Sequence, residues 1–335
     1  MSKIRLGIIG CGGNSSGHAR RMNENPDVQI VGTCDVNTDI ANSYIDRNLP
    51  ELNPRPAAFD DIPAMLDETT PDAVVISTPH TLHFEHSMHA LNAGCHVLVE
   101  KPMVTAAPDA YTLAEKVKET GKVFTIGYNT PCSANFYYVR ECIRNQTLGK
   151  LELVTGYITQ NWLRATQGAW RQVPELSGGG QAYDSGAHLF NSLCWSVESN
   201  VAEVHSFIDN CGAPVDINSS TNIRFENGVF ASIVVSGNCP SPGGTHMALV
   251  FDNGRIEVDG WGGGWIRVYE GGEELDPPPI TDDMSASSPD DNFIDAILGR
   301  AEPRTSPMNG IIQSELMDAI YESGRTGLPA KPVRR

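Results

Sequence analysis

Residues 7–20 read GIIGCGGNSSGHAR, and they place Gly10, Gly12 and Gly13 directly behind a short apolar run. The segment leading in, IRLGIIG at 4–10, has the unbroken apolarity of a buried parallel strand, and SSGHARRMNEN after it suits a helix started by Ser15 or Ser16. Strand, glycine turn and helix in that order aim backbone N–H groups and the positive end of a helix dipole at one point, where a pyrophosphate can be held. The dinucleotide pattern G-x-G-x-x-G is met at Gly10 and Gly12, while its third position carries Ser15. On the fingerprint alone, a tight turn without a ligand serves equally well.

The next apolar run decides more. VQIVGTCD at 28–35 ends in Asp35, about 20 residues past the third fingerprint position, where a carboxylate at a strand tip accepts both ribose hydroxyls of an adenosine. The same anion repels a 2′-phosphate, so Asp35 selects NAD over NADP. Its competing reading is an ordinary cap for the helix TDIANSYIDRN that follows.

Outward from this unit, IRLGIIG, VQIVGTCD, DAVVIST, CHVLVEK and KVFTIGY are short apolar runs separated by helical stretches, the pattern of a doubly wound parallel sheet. The character then changes. NFYYVRECIRNQ is helical, and KLELVTGYITQNW opens longer strands of alternating polarity. RFENGVFASIVV, LVFDNGRIEVDG and RVYEGGEELD carry Asn-Gly, Asn-Gly and Gly-Gly pairs suited to tight primed hairpin turns. The fold class expected is α/β: a Rossmann domain over 1–126, then an α+β domain over 127–335 with a large open, mainly antiparallel sheet. DPPPITDDMSASSPDD reads as a loop whose final aspartates cap a helix through NFIDAILG, and NGIIQSELMDAIYESG as a closing amphipathic helix.

A chain of 335 residues exceeds what one core usually organises, which agrees with two domains. Its net charge of −17, dispersed rather than gathered in a tail, argues against nucleic acid as a partner. No apolar stretch approaches the ~20 residues that span a bilayer, and no secretory signal opens the chain, so a membrane partner is excluded and a cytoplasmic location expected. The eight cysteines form no C-x-x-C pair and no dense framework, which favours reduced thiols.

Two features invite over-reading. His80, His83, His86 and His89 recur every three residues, but each such step slips about 60° around a helix, so the imidazoles fan out instead of converging on a metal. A solvated face is expected, with one or two histidines near a cofactor, and no metal site. GWGGGW at 260–265 leads into a strand with no helix N-terminus to hold phosphate, and it reads as a plain loop.

Three segments carry the chemistry. VLVEKP ends a parallel strand with Glu100 and Lys101, aimed at the crevice beyond the strand ends where open α/β sheets bind ligands; an exposed terminal lysine is the plainer alternative. SGGGQAYDSGAHLFN starts a helix near Asp184, which puts Asp184 and His188 on one face as a proton-handling pair; a capping Asp184 and a core His188 fit as well. In QNWLRATQGAWRQ, Trp162 and Trp170 offer flat faces to a sugar ring and Arg164 and Arg171 offer donors to its hydroxyls, although tryptophans are more often simply buried.

The order of GCGG, TCDVN, STPHTLHFEHSMHALNAGCHVLVEKP and GGGQAYDSGAHLFN resembles the glucose-fructose oxidoreductase, inositol dehydrogenase and rhizopine-catabolism (Gfo/Idh/MocA) superfamily over nearly the whole chain. The resemblance implies catalysis by Lys101, Asp184 and His188. It implies a cofactor site lined by Gly10, Gly12, Gly13, Asn14, Ser15, Asp35, Thr78, Pro79, His83, Glu100 and Lys101, with Asn129 near the nicotinamide end. Substrate contacts are then expected from Lys101, Trp162, Arg164, Trp170, Arg171, Asp184, His188 and Asn191. Three positions depart from the family pattern: Ser15 in the fingerprint, Thr130-Pro131 where basic residues are common, and Asn191 in place of a frequent aspartate.

The resulting expectation is a hydride-transfer enzyme acting with NAD on a neutral sugar, glycoside or cyclic polyol and assembling as a homodimer or homotetramer. A redox-neutral enzyme that cleaves glycosides or epimerises them, and a non-catalytic NAD-sensing regulator, are the alternatives.

Overall fold

The computed structural model describes residues 2–276, 278, 280–281, 284 and 288–335. The chain divides into two compact units, Met1–Val104 with Asp109–Gly127 and Ser287–Pro307, and Thr105–Pro108 with Tyr128–Ala286 and Met308–Arg335. A single cut near residue 126 does not describe this division, because Ser287–Pro307, expected in the second domain, packs with the first.

The first unit is a parallel sheet of β1 (Ile4–Ile9), β2 (Val28–Cys34), β3 (Ala57–Phe59), β4 (Ala73–Ile76), β5 (His96–Val99) and β6 (Phe124–Ile126), in the order β3-β2-β1-β4-β5-β6. The order reverses direction at β1, the switch point at which open α/β sheets bind ligands. The apolar runs read from the sequence correspond to five of these strands; the edge strand β3 has no buried residue and so leaves no apolar run. Leu6, Ile8, Val75 and Leu98 lie in a core that also takes Ala19 and Met22 of the helix Gly13–Glu24 and Tyr44 and Ile45 of the helix Thr38–Asn48. The late helix Pro289–Ile297 adds Phe293 and Ile294 to that core. Its N-cap is Ser288, whose side chain accepts from the Asp291 amide, so the capping role expected of the final aspartates falls to the serine before them. Part of the preceding loop lies outside the described residues.

The second unit is built on an eight-stranded mixed sheet. Its strands are β7 (Leu151–Thr159), β8 (Val201–Asp209), β9 (Asn218–Phe225), β10 (Phe230–Ser236), β11 (Gly244–Phe251), β12 (Gly254–Val258), β13 (Ile266–Glu270) and β14 (Glu273–Leu275). They run in the order β14-β13-β12-β11-β7-β10-β9-β8, and only the β7–β10 pair is parallel. From Leu153 onward alternation sets the faces: Val154 and Ile158 are buried, while Leu153 and Tyr157 point out; the register shift opposite Val250 and Phe251 breaks the alternation before it, and Leu151 is buried too. All three anticipated hairpins form. Only Gly271–Gly272 has both central φ values positive, as a primed turn requires. In the first hairpin Gly228 alone is positive, and the second turns through Asp252–Asn253 without a positive φ. The helix Gly186–Val197 is buried along its whole length, which fixes His188 rigidly.

Candidate active site

In the first unit the glycine turn is built around one close approach. Gly10 has φ +91°, and a Cβ there would stand 2.8 Å from the Ser77 carbonyl carbon, so only glycine fits. Gly12 and Gly13 are different: a Cβ at either meets nothing within 4 Å. They leave open space, not a packing contact, beside the start of a helix. That helix begins at Gly13, two residues before the serines expected to start it, and Gly12 as N-cap provides no side-chain cap. Ser15 is buried and its hydroxyl donates to the Gly12 carbonyl, 2.9 Å away, so the serine in the fingerprint satisfies itself within the turn. The Tyr44 hydroxyl donates to the Ser15 carbonyl at 2.7 Å from below. Uncapped amides, a dipole end and unfilled space at Gly12 and Gly13 fit a dinucleotide pyrophosphate.

Asp35 follows β2 directly. Its Oδ2 accepts from the Cys11 amide at 2.7 Å and its Oδ1 from the Val36 amide at 2.9 Å, so the carboxylate ties the strand tip to the glycine turn and keeps lone pairs for a ribose. Burial pushes the Cys11 thiol up to about 12, and Asp35 adds to the effect, so Cys11 stays an inert thiol.

At the tip of β5, Lys101 is buried, 7% exposed, and its amide donates to Glu100 Oε2 at 3.0 Å. Glu100 belongs to a network of residues far apart in the chain. The buried His18 has Nε2 2.9 Å from Glu100 Oε1 and Nδ1 2.6 Å from Asp290 Oδ1, and Arg21 Nε donates to Asp290 Oδ2 at 2.6 Å. Two carboxylate oxygens facing the two ring nitrogens require both nitrogens to donate, which is the imidazolium form. Burial by itself depresses His18; Asp290 first and then Glu100 outweigh it and lift the ring to about 9.

The histidine series does not form the expected solvated face. His80 and His83 are buried, His83 completely. Its ring nitrogens lie 2.7 Å from the Pro102 carbonyl and 2.9 Å from the Thr78 carbonyl, so this histidine braces the loops after β4 and β5 against each other. His86 Nδ1 meets Thr78 Oγ1 at 3.0 Å, and burial lowers its pKa to about 4.

In the second unit, Asp184 lies in the turn before the helix Gly186–Val197, and not on it, so the shared helix face expected for Asp184 and His188 is not what holds them. Other groups do. Asp184 Oδ2 accepts from Trp162 Nε1 at 2.7 Å and from Arg171 Nε at 3.0 Å. The His188 ring stacks on Trp261 with centroids 4.1 Å apart and meets the edge of Tyr128 at 5.9 Å. Trp261 sits in GWGGGW at 260–265, so this segment does more than the plain loop expected of it. Asp259 organises that loop: its carboxylate takes the Thr245 hydroxyl and the amides of Trp261 and Gly264, bonds that outweigh burial and lower its pKa. Thr130, fully buried, donates to the Trp261 carbonyl at 3.1 Å, and Ser192 donates to the His188 carbonyl at 2.8 Å and to Thr130 Oγ1 at 2.9 Å. Thr130 therefore supports the stack behind His188, a structural use of a position that departs from the family pattern.

The glycines before Asp184 answer to Asp216. A Cβ on Gly180 would stand 1.9 Å from the Asp216 carbonyl oxygen, and one on Gly179 would stand 2.3 Å from the Tyr321 hydroxyl. Asp216 Oδ1 accepts from the Gly180 amide at 2.6 Å and from the Tyr321 hydroxyl at 2.5 Å, while Oδ2 accepts from the Ala182 amide at 2.9 Å. Of the remaining expected residues, Asn129 is exposed, Arg164 is exposed and donates to Asn161 Oδ1 and Asn238 Oδ1, and Trp170 carries the Arg171 guanidinium over its ring at 4.6 Å. Asn191 is buried with its Nδ2 unmatched.

Comparison with known proteins gives this arrangement a family. Residues 4–128 match "Oxidoreductase family, NAD-binding Rossmann fold", and residues 136–257 match "GFO/IDH/MocA C-terminal domain". D-glucoside 3-dehydrogenase of Escherichia coli is 26% identical over 97% of this chain and 97% of its own. Glycosyl hydrolase family 109 protein 2 of Akkermansia muciniphila is 27% identical over 51% of this chain and 38% of its own. The WlbA dehydrogenase from Bordetella pertussis, solved in complex with NADH and UDP-GlcNAcA, shares the fold with a TM-score of 0.87 at 24% identity, covering 100% of this chain and 99% of that one. With an NAD-binding Rossmann unit, a second sheet domain and both family matches in sequence order, the chain is a member of the Gfo/Idh/MocA oxidoreductase family.

Proposed function

We propose that the protein is an NAD-dependent dehydrogenase that oxidises a CH–OH carbon of a sugar, glycoside or cyclic polyol. The observation that carries this reading is the bracing of Asp184 and His188, a carboxylate held by Trp162 and Arg171 and an imidazole stacked on Trp261, in a chain whose other unit has an uncapped glycine turn. His188 takes the hydroxyl proton. Asp184, already fixed by two donors, orients the substrate. Lys101, buried at the tip of β5, stabilises the developing alkoxide. NAD, when bound, supplies the hydride acceptor. Gly12, Gly13 and the amides at the start of the first helix hold its pyrophosphate. Asp35 takes its adenosine ribose and disfavours a 2′-phosphate, which supports NAD over NADP. The Asn191 amide, buried and unmatched, supports a substrate contact.

The test is NADH formation from NAD, with NADP in parallel, across inositols, aldoses and glycosides, repeated with His188→Ala. The expected result is turnover with one substrate class, lost by about 10²–10⁴-fold in the variant while NAD binding is kept. Unchanged turnover in His188→Ala removes the histidine from this role. The match to a glycosyl hydrolase family 109 protein favours a second, redox-neutral reading, in which glycosides are consumed while no free NADH accumulates.

The apolar residues exposed on the outer sheet face, among them Tyr157, Phe207, Phe230 and Val234, support self-association into a homodimer or homotetramer. Eight cysteines free of disulfides support a reducing, cytoplasmic setting, and among the described residues no helix is long and apolar enough to cross a membrane.

A further inference from the structure

A cavity of about 620 Å³ opens in the second unit, and two of its walls are Trp162 and Trp261. These are the residues that hold the proposed catalytic pair: Trp162 donates to Asp184, and Trp261 stacks on His188. The cavity is thus one side chain away from both groups while neither of them lines it. Its remaining walls are neutral and polar, with Gln160, Asn161, Ser241 and Thr245 prominent, and among the described residues none of those lining it is charged. The nearby Arg164 guanidinium is engaged with Asn161 and Asn238.

A volume of this size lies within the range that holds a drug-sized ligand, more than a single pyranose ring needs. Trp162 is buried, so the half-buried Trp261 is the indole that meets the C–H face of a sugar, and amide and hydroxyl side chains match its hydroxyls without charge. A phosphate or nucleotide diphosphate would find no cation in the lining, which makes its desolvation costly. We infer that this cavity is a subsite for a second, neutral ring, so that the substrate class is an uncharged glycoside carrying a further sugar or comparably sized aglycone. The inference rests on the proposed dehydrogenase reading for the identity of the reacting ring, but the cavity's preference is measurable by binding alone.

Ala165 lines the cavity from the short helix Trp162–Ala165 and is exposed, so Ala165→Trp fills the space without entering the core, and Ala165→Ser serves as its control. Binding of cellobiose, maltose, methyl glucoside and glucose 6-phosphate to the NAD-loaded full chain is followed by calorimetry. The better disaccharide is expected to bind at least tenfold more tightly than methyl glucoside, with glucose 6-phosphate no better than methyl glucoside. Ala165→Trp is expected to erase the disaccharide advantage and leave methyl glucoside within twofold, while Ala165→Ser keeps both. Equal affinity for one-ring and two-ring sugars, absence of disaccharide binding, tightest binding of the phosphate, or a disaccharide advantage that survives Ala165→Trp overturns the inference. NADH formation with the same sugars is scored separately: two-ring binding without NADH overturns the dehydrogenase reading and leaves the subsite standing.

Discussion

His18 Nδ1 stands 2.6 Å from Asp290 Oδ1 although 272 residues separate them in the chain. With Glu100 on the other ring nitrogen, the pair anchors the segment that carries Lys101 to the first helix of the nucleotide unit. A raised histidine pKa has a definite consequence for stability. Below the ordinary value of 6.5 the ring is charged folded or unfolded, and the stabilisation is fully present; it is lost as the pH rises through the folded value of about 9. The thermal midpoint of the cofactor-free protein is expected to fall between pH 6.5 and 9.5. Asp290→Asn should flatten that slope and cost about 3–5 kcal/mol at neutral pH, since it leaves His18 and Arg21 facing a lost charge in a buried site. Parallel slopes in the two proteins would show that another group titrates.

Gly10 and Gly12 separate folding from ligand binding. Gly10→Ala meets the Ser77 backbone and requires a positive φ, so melting and NAD affinity should both decline. Gly12→Ala has room, and its stability should stay within about 1 kcal/mol of the parent, the range of an unstrained glycine replacement. Its new methyl would enter the space assigned to the pyrophosphate, so NAD affinity should fall at least tenfold. Melting curves with and without NAD distinguish the two; a Gly12→Ala protein that binds NAD normally would move the pyrophosphate elsewhere.

Gly180 tests the support of Asp184. An alanine Cβ would overlap the Asp216 carbonyl, forcing the turn away from the Asp216 carboxylate that gathers its amides. The expected cost is about 1–3 kcal/mol, with turnover reduced beyond what the loss of folded protein explains. The cooler half of the melting range, where Gly180→Ala is fully folded, is the place to measure kcat; parent-like activity there would mean that the turn does not position Asp184.

The parallel sheet was legible because strands buried on both faces are continuous apolar runs, and Asp35 because the spacing from strand tip to glycine turn is local. The site was legible in part. Lys101, Asp184 and His188 stood in short motifs, and Trp162 and Arg171 in another, though read there as contacts to a sugar and not to Asp184. Trp261 escaped notice because its loop leads into no helix, and what shapes the loop is the Asp259 carboxylate, a role that no spacing reveals. The glycines at 179 and 180 were noticed, yet their reason, the backbone of Asp216 and the Tyr321 hydroxyl, lies 36 and more residues away. The histidine series failed as a surface face because local periodicity cannot tell which turns of a helix the rest of the unit covers.

The return of Ser287–Pro307 to the first unit sets a timetable for the nascent chain. A ribosome that has delivered all six parallel strands has yet to deliver Asp290, Phe293 and Ile294, so His18 waits for its counter-charge, and the sheet for part of its cover, through some 160 further residues. The nucleotide module is therefore completed after all eight strands of the second sheet have been synthesised. An excised 1–127 fragment would be a truncated intermediate, while a transplant that keeps the module whole must carry residues 287–307 along with it.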